Sequence, residues 1–312
     1  MLILLYIQVF ASYIVWVHLQ VMISIEPNEL STGKLHAYLL GAVSPRPICF
    51  ASTIDAEGKV NLSPFSFFNV FSAKPPILVF SPARRGRDNT TKHTYEKVLE
   101  VPEVVINIVN YSMVQQVSLS STEYDKGVNE FTKAGFSELQ SELIKPPRVA
   151  EAPVQLECKV NEVISLGNEG GAGNLVICEV VKLHIKEEIL DENGVIDPYK
   201  IDTVSRLGGG WYSRAKSGLF EVPKPLTTVG VGIDKLPEEI RNSKVLTGND
   251  LGMLGNVESF PNSEEINTFI NTSDEYQKIV ASNNSEMIHK RAQEFLCEGK
   301  VLEAWKVLLA KQ

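Results

Sequence analysis

The chain has 312 residues, of which 44% are hydrophobic and 22% charged, a composition that excludes a disordered chain and provides apolar mass for one large core or two smaller ones. A formal net charge of −8 and a pI near 5.3 exclude a broad nucleic-acid footprint, which needs clustered Lys and Arg to neutralise phosphates. Cys49, Cys158, Cys178 and Cys297 lie far apart with no C-x-x-C pair, and the five histidines show no metal-ligand spacing, so any redox chemistry must come from an organic cofactor.

The first segment, Leu2 to Ile23, is long and apolar enough to reach across a bilayer, although Gln8, His18 and Gln20 interrupt it. A secretory signal would open with a basic region, yet the first Lys or Arg is Lys34. Two readings stand: a membrane anchor through residues 2–23, or non-native upstream sequence ahead of a start at Met22. The second is preferred, with a cytoplasmic protein as its consequence, and it sets residues 1–22 apart from a domain over 23–223. The four cysteines read as small core residues.

From Pro47 onward, short β-type runs alternate with turn residues. Pro47 to Thr53, the turn Asp55 to Gly58, and Val60 to Ser63 predict a hairpin. Asn61 to Asn69 then alternates polar side chains with aromatics, as a strand would. Ile77 to Ser81 predicts a buried strand, Pro82 to Asn89 an Arg-rich loop, and Thr90 to Glu100 a helix. Glu103 to Asn110 is β-branched and strand-like, while Met113 to Tyr124 predicts a short helix. Alternation over Val154, Leu156, Cys158 and Val160, followed by Leu175 to Ile185, predicts a second antiparallel pair joined by the loop Gly167 to Gly173. Many short strands without a βαβ rhythm imply a mainly β fold, an antiparallel barrel closed or partly closed, with flanking helices. Residues 224–312 turn helical, over Glu264 to Phe269, Asp274 to Ala281 and a final stretch Ser285 to Leu309, and read as an extension and not as a second catalytic domain.

Pro45 to Ile48, Ala51 to Thr53, Gly58, Asn61, Ser63 to Ser66 and Pro75-Pro76 together resemble the opening signature of the flavin-reductase-like, FMN-binding split-barrel family. Lys92 to Val98 is similar to that family's helix-opening Lys-Asp-Thr segment, and Arg206 to Tyr212 to its late glycine-aromatic motif. The likeness spans about residues 25–222; His93 stands where the family commonly has Asp, and Lys97 where it commonly has Asn.

A flavin needs apolar contact against its ring and hydrogen-bond donors at its polar edge. Ser63, Ser66 and Asn69 offer donors, and Phe65 or Phe68 an apolar wall; by composition alone, a barrel edge with core Phe and solvated Ser fits these residues better. Lys92 and Thr94 at a helix start suit a phosphate, since an ammonium and a hydroxyl add to free N–H groups there. Of Arg84, Arg85 and Arg87, one is placed to complete a phosphate site and another to meet a nicotinamide nucleotide, against a solvated loop for at least two of them. Gly208 to Gly210 with Trp211-Tyr212 reads either as a closure over a ligand or as a tight turn with two core aromatics. The Gly167 to Gly173 segment lacks a G-K-[ST] ending and reads as a hairpin loop.

The resemblance implies a split barrel that holds FMN through Arg46, Ser52, Thr53, Asn61, Ser63, Phe65, Ser66, Phe68, Asn69, Ser81, Arg87, Lys92 and Thr94. It implies NADH or NADPH as electron donor, flavin, an iron complex or an oxygenase or other redox partner as acceptor, and a homodimer. No catalytic side chain is assigned, because hydride transfer occurs at the flavin itself. An FMN-binding electron-transfer or carrier protein without nicotinamide oxidase activity is the alternative, and a pyridoxamine-phosphate-oxidase-like activity a weaker third.

Overall fold

The computed structural model describes residues 22–227 and 229–310. The apolar opening segment lies outside the described residues except for Met22 and Ile23, and its two readings lie outside them as well. Among the described residues no helix is long and apolar enough to cross a membrane. The chain divides into a unit ending at Leu219 and a unit beginning at Phe220.

The first unit opens with helix α1 (Thr32–Ala42), whose N-terminus is capped by the Ser31 hydroxyl accepting from the Lys34 N–H. Strands β1 (Cys49–Ile54), β2 (Val60–Phe65), β3 (Phe68–Ala73) and β4 (Pro76–Phe80) follow, then α2 (His93–Glu100) and β5 (Glu103–Ile108). Short helices α3 (Val114–Leu119) and α4 (Glu130–Ala134) and the small ribbon of β6 (Glu138–Leu139) with β7 (Arg148–Val149) lead to the long pair β8 (Val154–Ser165) and β9 (Asn174–Ile185). Helix α5 (Pro198–Ile201) and a ribbon of β10 (Val204–Arg206) with β11 (Tyr212–Arg214) close the unit.

Seven strands form one antiparallel sheet in the order β2-β1-β5-β8-β9-β4-β3. Its two edge strands, β2 and β3, are consecutive in sequence and joined only by Ser66 and Phe67. The stretch Asn61 to Asn69, expected as one strand, is therefore two strands at opposite ends of the sheet, because the chain bends at Ser66 and Phe67. Pro64 fits β2 because an edge strand loses no inward ladder bond to its missing N–H. The outward-facing N–H of Leu62 is taken by the buried Glu130 carboxylate at 2.9 Å. Bulges at Glu157/Cys158 and Val160/Glu162 add curl to the β8–β9 pair.

Alternation along β1 divides the core in two. Cys49 and Ala51 point with Phe80, Val104, Ile106 and Cys178 into the barrel, while Phe50 packs with Leu62, Met113, Val117 and Phe131 beneath α3 and α4. Full burial of an aromatic such as Phe50 stabilises by about 2–3 kcal/mol. Burial pushes the Cys158 thiol up to about 12 and raises those of Cys49 and Cys178 as well, so these three are inert packing groups. Cys297, read as a core residue, is instead exposed.

The second unit is helical, with α6 (Glu238–Arg241), α7 (Gly248–Gly255), α8 (Ser263–Ile270), α9 (Asp274–Ala281), α10 (Ser285–Cys297) and α11 (Val301–Leu309). Reciprocal capping boxes, Thr247 with Asp250 and Asn262 with Glu265, fix the starts of α7 and α8. Trp305 is fully buried at the centre and donates its indole N–H to the Leu254 carbonyl at 3.0 Å. The final helical stretch, expected as continuous, breaks at Gly299: its φ of +73° turns the chain, and the Lys300 N–H caps the Phe295 carbonyl at 2.8 Å.

Lys97 explains one departure from the family pattern. It is buried and donates to the Asp55 carboxylate at 2.6 Å and to the Lys59 carbonyl at 2.8 Å, which fastens the β1–β2 turn to α2. The turn itself needs Gly58, at φ +85°, to close. The hydrogen bond from Lys97 holds the Asp55 carboxyl below its ordinary range. Lys97→Met is expected to cost about 2–3 kcal/mol at pH 7, less than a fully dry pair because Asp55 keeps some contact with water. A depressed carboxyl pKa contributes stability above the unfolded value of about 3.9 and loses it as pH falls through the folded value. Urea denaturation should therefore show the deficit of Lys97→Met narrowing between pH 5 and pH 3, roughly the carboxylate range.

Candidate functional site

A cavity of about 780 Å³ lies in the first unit, where the chain crosses from β2 to β3. That volume is within the range of small-molecule sites. Ser63 to Phe67 form one wall, and α1 supplies another through Leu35, His36, Leu39 and Leu40. His36 meets the Phe67 ring edge-on at 6.2 Å. The lining also carries four cations, Arg84, Arg85, Arg87 and Lys92, together with Ser81, Ser121, Glu123, Gly170 and Gly171.

The lining therefore combines two kinds of surface. Apolar side chains of α1 and the β2–β3 crossing make one, and four cations make the other. Lys92 sits at the N-cap position of α2, where it adds its charge to the positive end of the helix dipole. Burial, and after it the neighbouring Arg85, hold its ammonium below the usual lysine range, and the four cations give this part of the lining an excess of positive charge. Glu123 partly offsets that excess. It lies 3.2 Å from Arg85 Nε, 2.9 Å from Arg87 Nη2 and 3.7 Å from Lys92 Nζ. The hydrogen bond from Arg87 holds its carboxyl below the usual range. Asp88 is held at about 2, chiefly by hydrogen bonds from Thr90.

The Arg-rich loop is held by its own contacts. Arg84 donates through Nε and Nη2 to Asn89, each at 2.6 Å, and Arg85 Nη1 reaches Thr90 Oγ1 at 2.9 Å. Its backbone is clamped from outside by the β8–β9 loop: Arg84 N–H donates to the Ala172 carbonyl at 2.8 Å, and Gly171 N–H to the Arg84 carbonyl at 3.1 Å. Close approach requires the glycine, since a Cβ on Gly170 would lie 3.1 Å from the Arg85 carbonyl oxygen. The Gly167 to Gly173 segment is a hairpin loop, as its sequence implies, and it also builds one side of the cavity.

Six of the residues singled out in the sequence, Ser63, Phe65, Ser66, Ser81, Arg87 and Lys92, line the cavity together. Ser81 Oγ also accepts from the Asn174 N–H at 3.0 Å. The other seven lie elsewhere. Asn61 Nδ2 donates to Thr94 Oγ1 at 2.9 Å, and both are buried, so this pair joins β2 to α2. Ser52 and Thr53 are fully buried, and their hydroxyls have no hydrogen-bond partner. Arg46 donates to the carbonyls of Leu40, Val43 and Leu207, which fastens the C-terminal end of α1. Phe68 begins β3, and Asn69 Oδ1 accepts from the Val70 N–H. In the late glycine motif, Gly208 packs against Gly41 of α1, whereas Trp211 and Tyr212 are exposed and are not core aromatics.

Helix α1 and Glu123 carry no motif in the sequence that marks them, and the Gly167 to Gly173 run is marked there only as a hairpin loop. Only the run Leu35 to Leu40, apolar around a single His, hints at a ligand-facing helix.

A second crevice of about 200 Å³ lies between Tyr111, Val114, Tyr212 and Arg214. Its charge is already used, because Arg214 Nε donates to Asp202 at 2.8 Å and the guanidinium stacks 3.8 Å from the Tyr111 ring centre. Among the described residues no group of three or more His, Cys, Asp or Glu is placed to hold a metal ion.

Residues 41–204 match the family model of the flavin reductase like domain. An uncharacterized protein of Aquifex aeolicus is 37% identical over 60% of this chain and 93% of its own length. Among solved structures, nitrilotriacetate monooxygenase component B from Bacillus cereus superposes with a TM-score of 0.61 at 30% identity, over 65% of this chain and 99% of that one. A Shewanella frigidimarina protein described as a flavin reductase with split barrel domain gives 0.55 at 27% identity, over 64% of this chain and 96% of that one. The seven-stranded sheet with its joined edges is accordingly a split barrel.

Gly170→Val is expected to destabilise the first unit by about 1–3 kcal/mol, because the obstacle is backbone of the Arg loop and cannot rotate away. Thermal denaturation checks the loss. Gly194→Ala, with nothing within 4 Å of its Cβ but a φ of +73°, serves as the control for backbone strain alone.

Proposed function

The chain belongs to the flavin reductase-like family, and on that premise we propose that it is an oxidoreductase that holds FMN in the cavity of the first unit and oxidises NADH or NADPH. The bound flavin supplies the redox chemistry, accepting electrons from the nicotinamide and releasing them to an acceptor. The pairing of an apolar slot with a four-cation pole carries this reading, because it matches a planar ring bearing a terminal phosphate.

In this reading Lys92, Arg87 and the Ser81 hydroxyl hold the phosphate, with Arg85 close enough to share it. Phe65 and Pro64 give apolar contact to the ring, while Ser63 and Ser66 direct hydroxyls to its polar edge. Asn61 and Thr94 act as positioning residues: their bond keeps β2 in register with α2, so that the Ser63 wall and the Lys92 pole hold their separation. Arg46 plays the corresponding part for α1. The buried hydroxyls of Ser52 and Thr53 and the side chains of Phe68 and Asn69 are assigned a supporting place around this wall and no direct role in the chemistry.

We further propose that two copies pair. No residue of α1 is buried, although it carries Tyr38 and Leu39 and is followed by Val43; Val70 and Phe71 of β3 are 62% and 68% exposed. An apolar helix left uncovered to this degree calls for a partner surface. The Bacillus cereus relative is a component of a monooxygenase, and by analogy the reduced flavin here serves an oxygenase or another redox partner.

The direct test is flavin titration followed by steady-state oxidation of NADH and NADPH with added FMN. FMN should bind in preference to FAD, and nicotinamide oxidation should depend on it. Binding without oxidation would leave an FMN carrier or electron-transfer protein. Lys92→Ala should weaken FMN binding roughly tenfold to a hundredfold while leaving riboflavin binding and the thermal midpoint unchanged, since a charge-assisted phosphate bond contributes roughly 1.5–3 kcal/mol. Equal affinity of both proteins for FMN would remove Lys92 from the phosphate site.

A further inference from the structure

Resting on the FMN reading above, we propose that Glu123 is a displaceable counter-ion that sets the affinity of the cationic pole: its carboxylate fills the anion position among Arg85, Arg87 and Lys92, and a phosphate monoester must displace it to bind. Three distances, 3.2, 2.9 and 3.7 Å, centre the carboxylate on the three cations. All four side chains line the same cavity.

The cations and the carboxylate come from different parts of the chain. Arg85, Arg87 and Lys92 lie between β4 and α2, whereas Glu123 follows α3. Removing Glu123 leaves the cation loop with its own supports. Arg85 keeps Thr90 Oγ1 and the Thr91 carbonyl, and Arg87 keeps Asp88. Glu123 is 44% exposed, so its swing into water carries little desolvation penalty. It is therefore a replaceable counter-ion.

Charge then decides which ligands replace it. A phosphate monoester carries about −1.5 to −2 near neutral pH, more than the single charge of a carboxylate. The internal phosphates of a dinucleotide carry less charge each and gain less from the exchange. A neutral flavin without phosphate gains nothing at this pole. Glu123 thus raises the threshold equally for every anion that must displace it and leaves a flavin without phosphate unaffected.

The test compares the full chain with Glu123→Gln, which keeps the shape and removes the charge, in titrations with FMN and riboflavin. Glu123→Gln should bind FMN roughly threefold to tenfold more tightly, the scale of a few exposed ion-pair contacts, with riboflavin affinity unchanged. Unchanged or weaker FMN binding by Glu123→Gln would overturn the inference and make Glu123 a fixed support of the arginines. If neither protein binds FMN, the cofactor reading fails by itself, and orthophosphate then decides the role of Glu123. A larger phosphate-induced rise in thermal midpoint for Glu123→Gln upholds the displaced counter-ion, and an equal or smaller rise overturns it. Glu123→Ala, read in the same titrations, replaces Glu123→Gln should that variant not fold.

Discussion

The joint at Ser66 and Phe67 constrains everything else in the first unit. A flat sheet of seven strands would separate its edges by about 29 Å, six spacings of roughly 4.8 Å. Three peptide steps from Phe65 to Phe68 span at most about 11 Å. The sheet must therefore curl until β2 and β3 approach, with bulges in β8 and β9 helping it to do so. The edges meet at a crossing chain and not at a paired ladder, which leaves the opening where the cavity lies. Barrel closure and site formation follow from one short connection.

Around that opening, electrostatic order is imposed by backbone contacts. The Arg-rich loop would be a solvated excursion if its position depended on its guanidinium groups alone. Instead the β8–β9 loop grips its backbone, and the glycines there allow contact closer than most side chains make. With the backbone fixed, like charges can be held together: burial first, and the nearby Arg85 after it, lower the Lys92 ammonium's affinity for its proton. The repulsion is offset by Glu123 and Asp88. A cationic pole assembled this way is preorganised for an anion, with its cost already met by barrel and hairpin packing.

The helical second unit follows other rules. Its boundaries are set by side-chain caps, with Thr247, Asn262, Ser273 and Asn284 each accepting backbone N–H groups at a helix start. Its core is anchored by Trp305, packed with Phe260 at 4.7 Å and among Leu254, Ile288 and Phe295.

Strand periodicity, turn chemistry and helix breaks are local, and the sequence alone determined them for most elements. The hairpin around Gly58, the strand at Glu103, the β8–β9 pair and the helix Asp274–Ala281 were legible because two-residue or 3.6-residue repeats and Gly or Asn turns act within a few positions. The motif residues are also gathered in part, since Ser63, Phe65, Ser66, Ser81, Arg87 and Lys92 line one cavity. Tertiary structure alone decided the rest. It divided Asn61 to Asn69 between opposite sheet edges, because sheet order is set by pairings between distant residues. It turned Thr94 inward to Asn61, brought α1 over the opening and set Glu123 among the cations, because those positions depend on partners remote in the chain. A side chain's type fixes what it can bond, but only the closed barrel fixes what stands within reach.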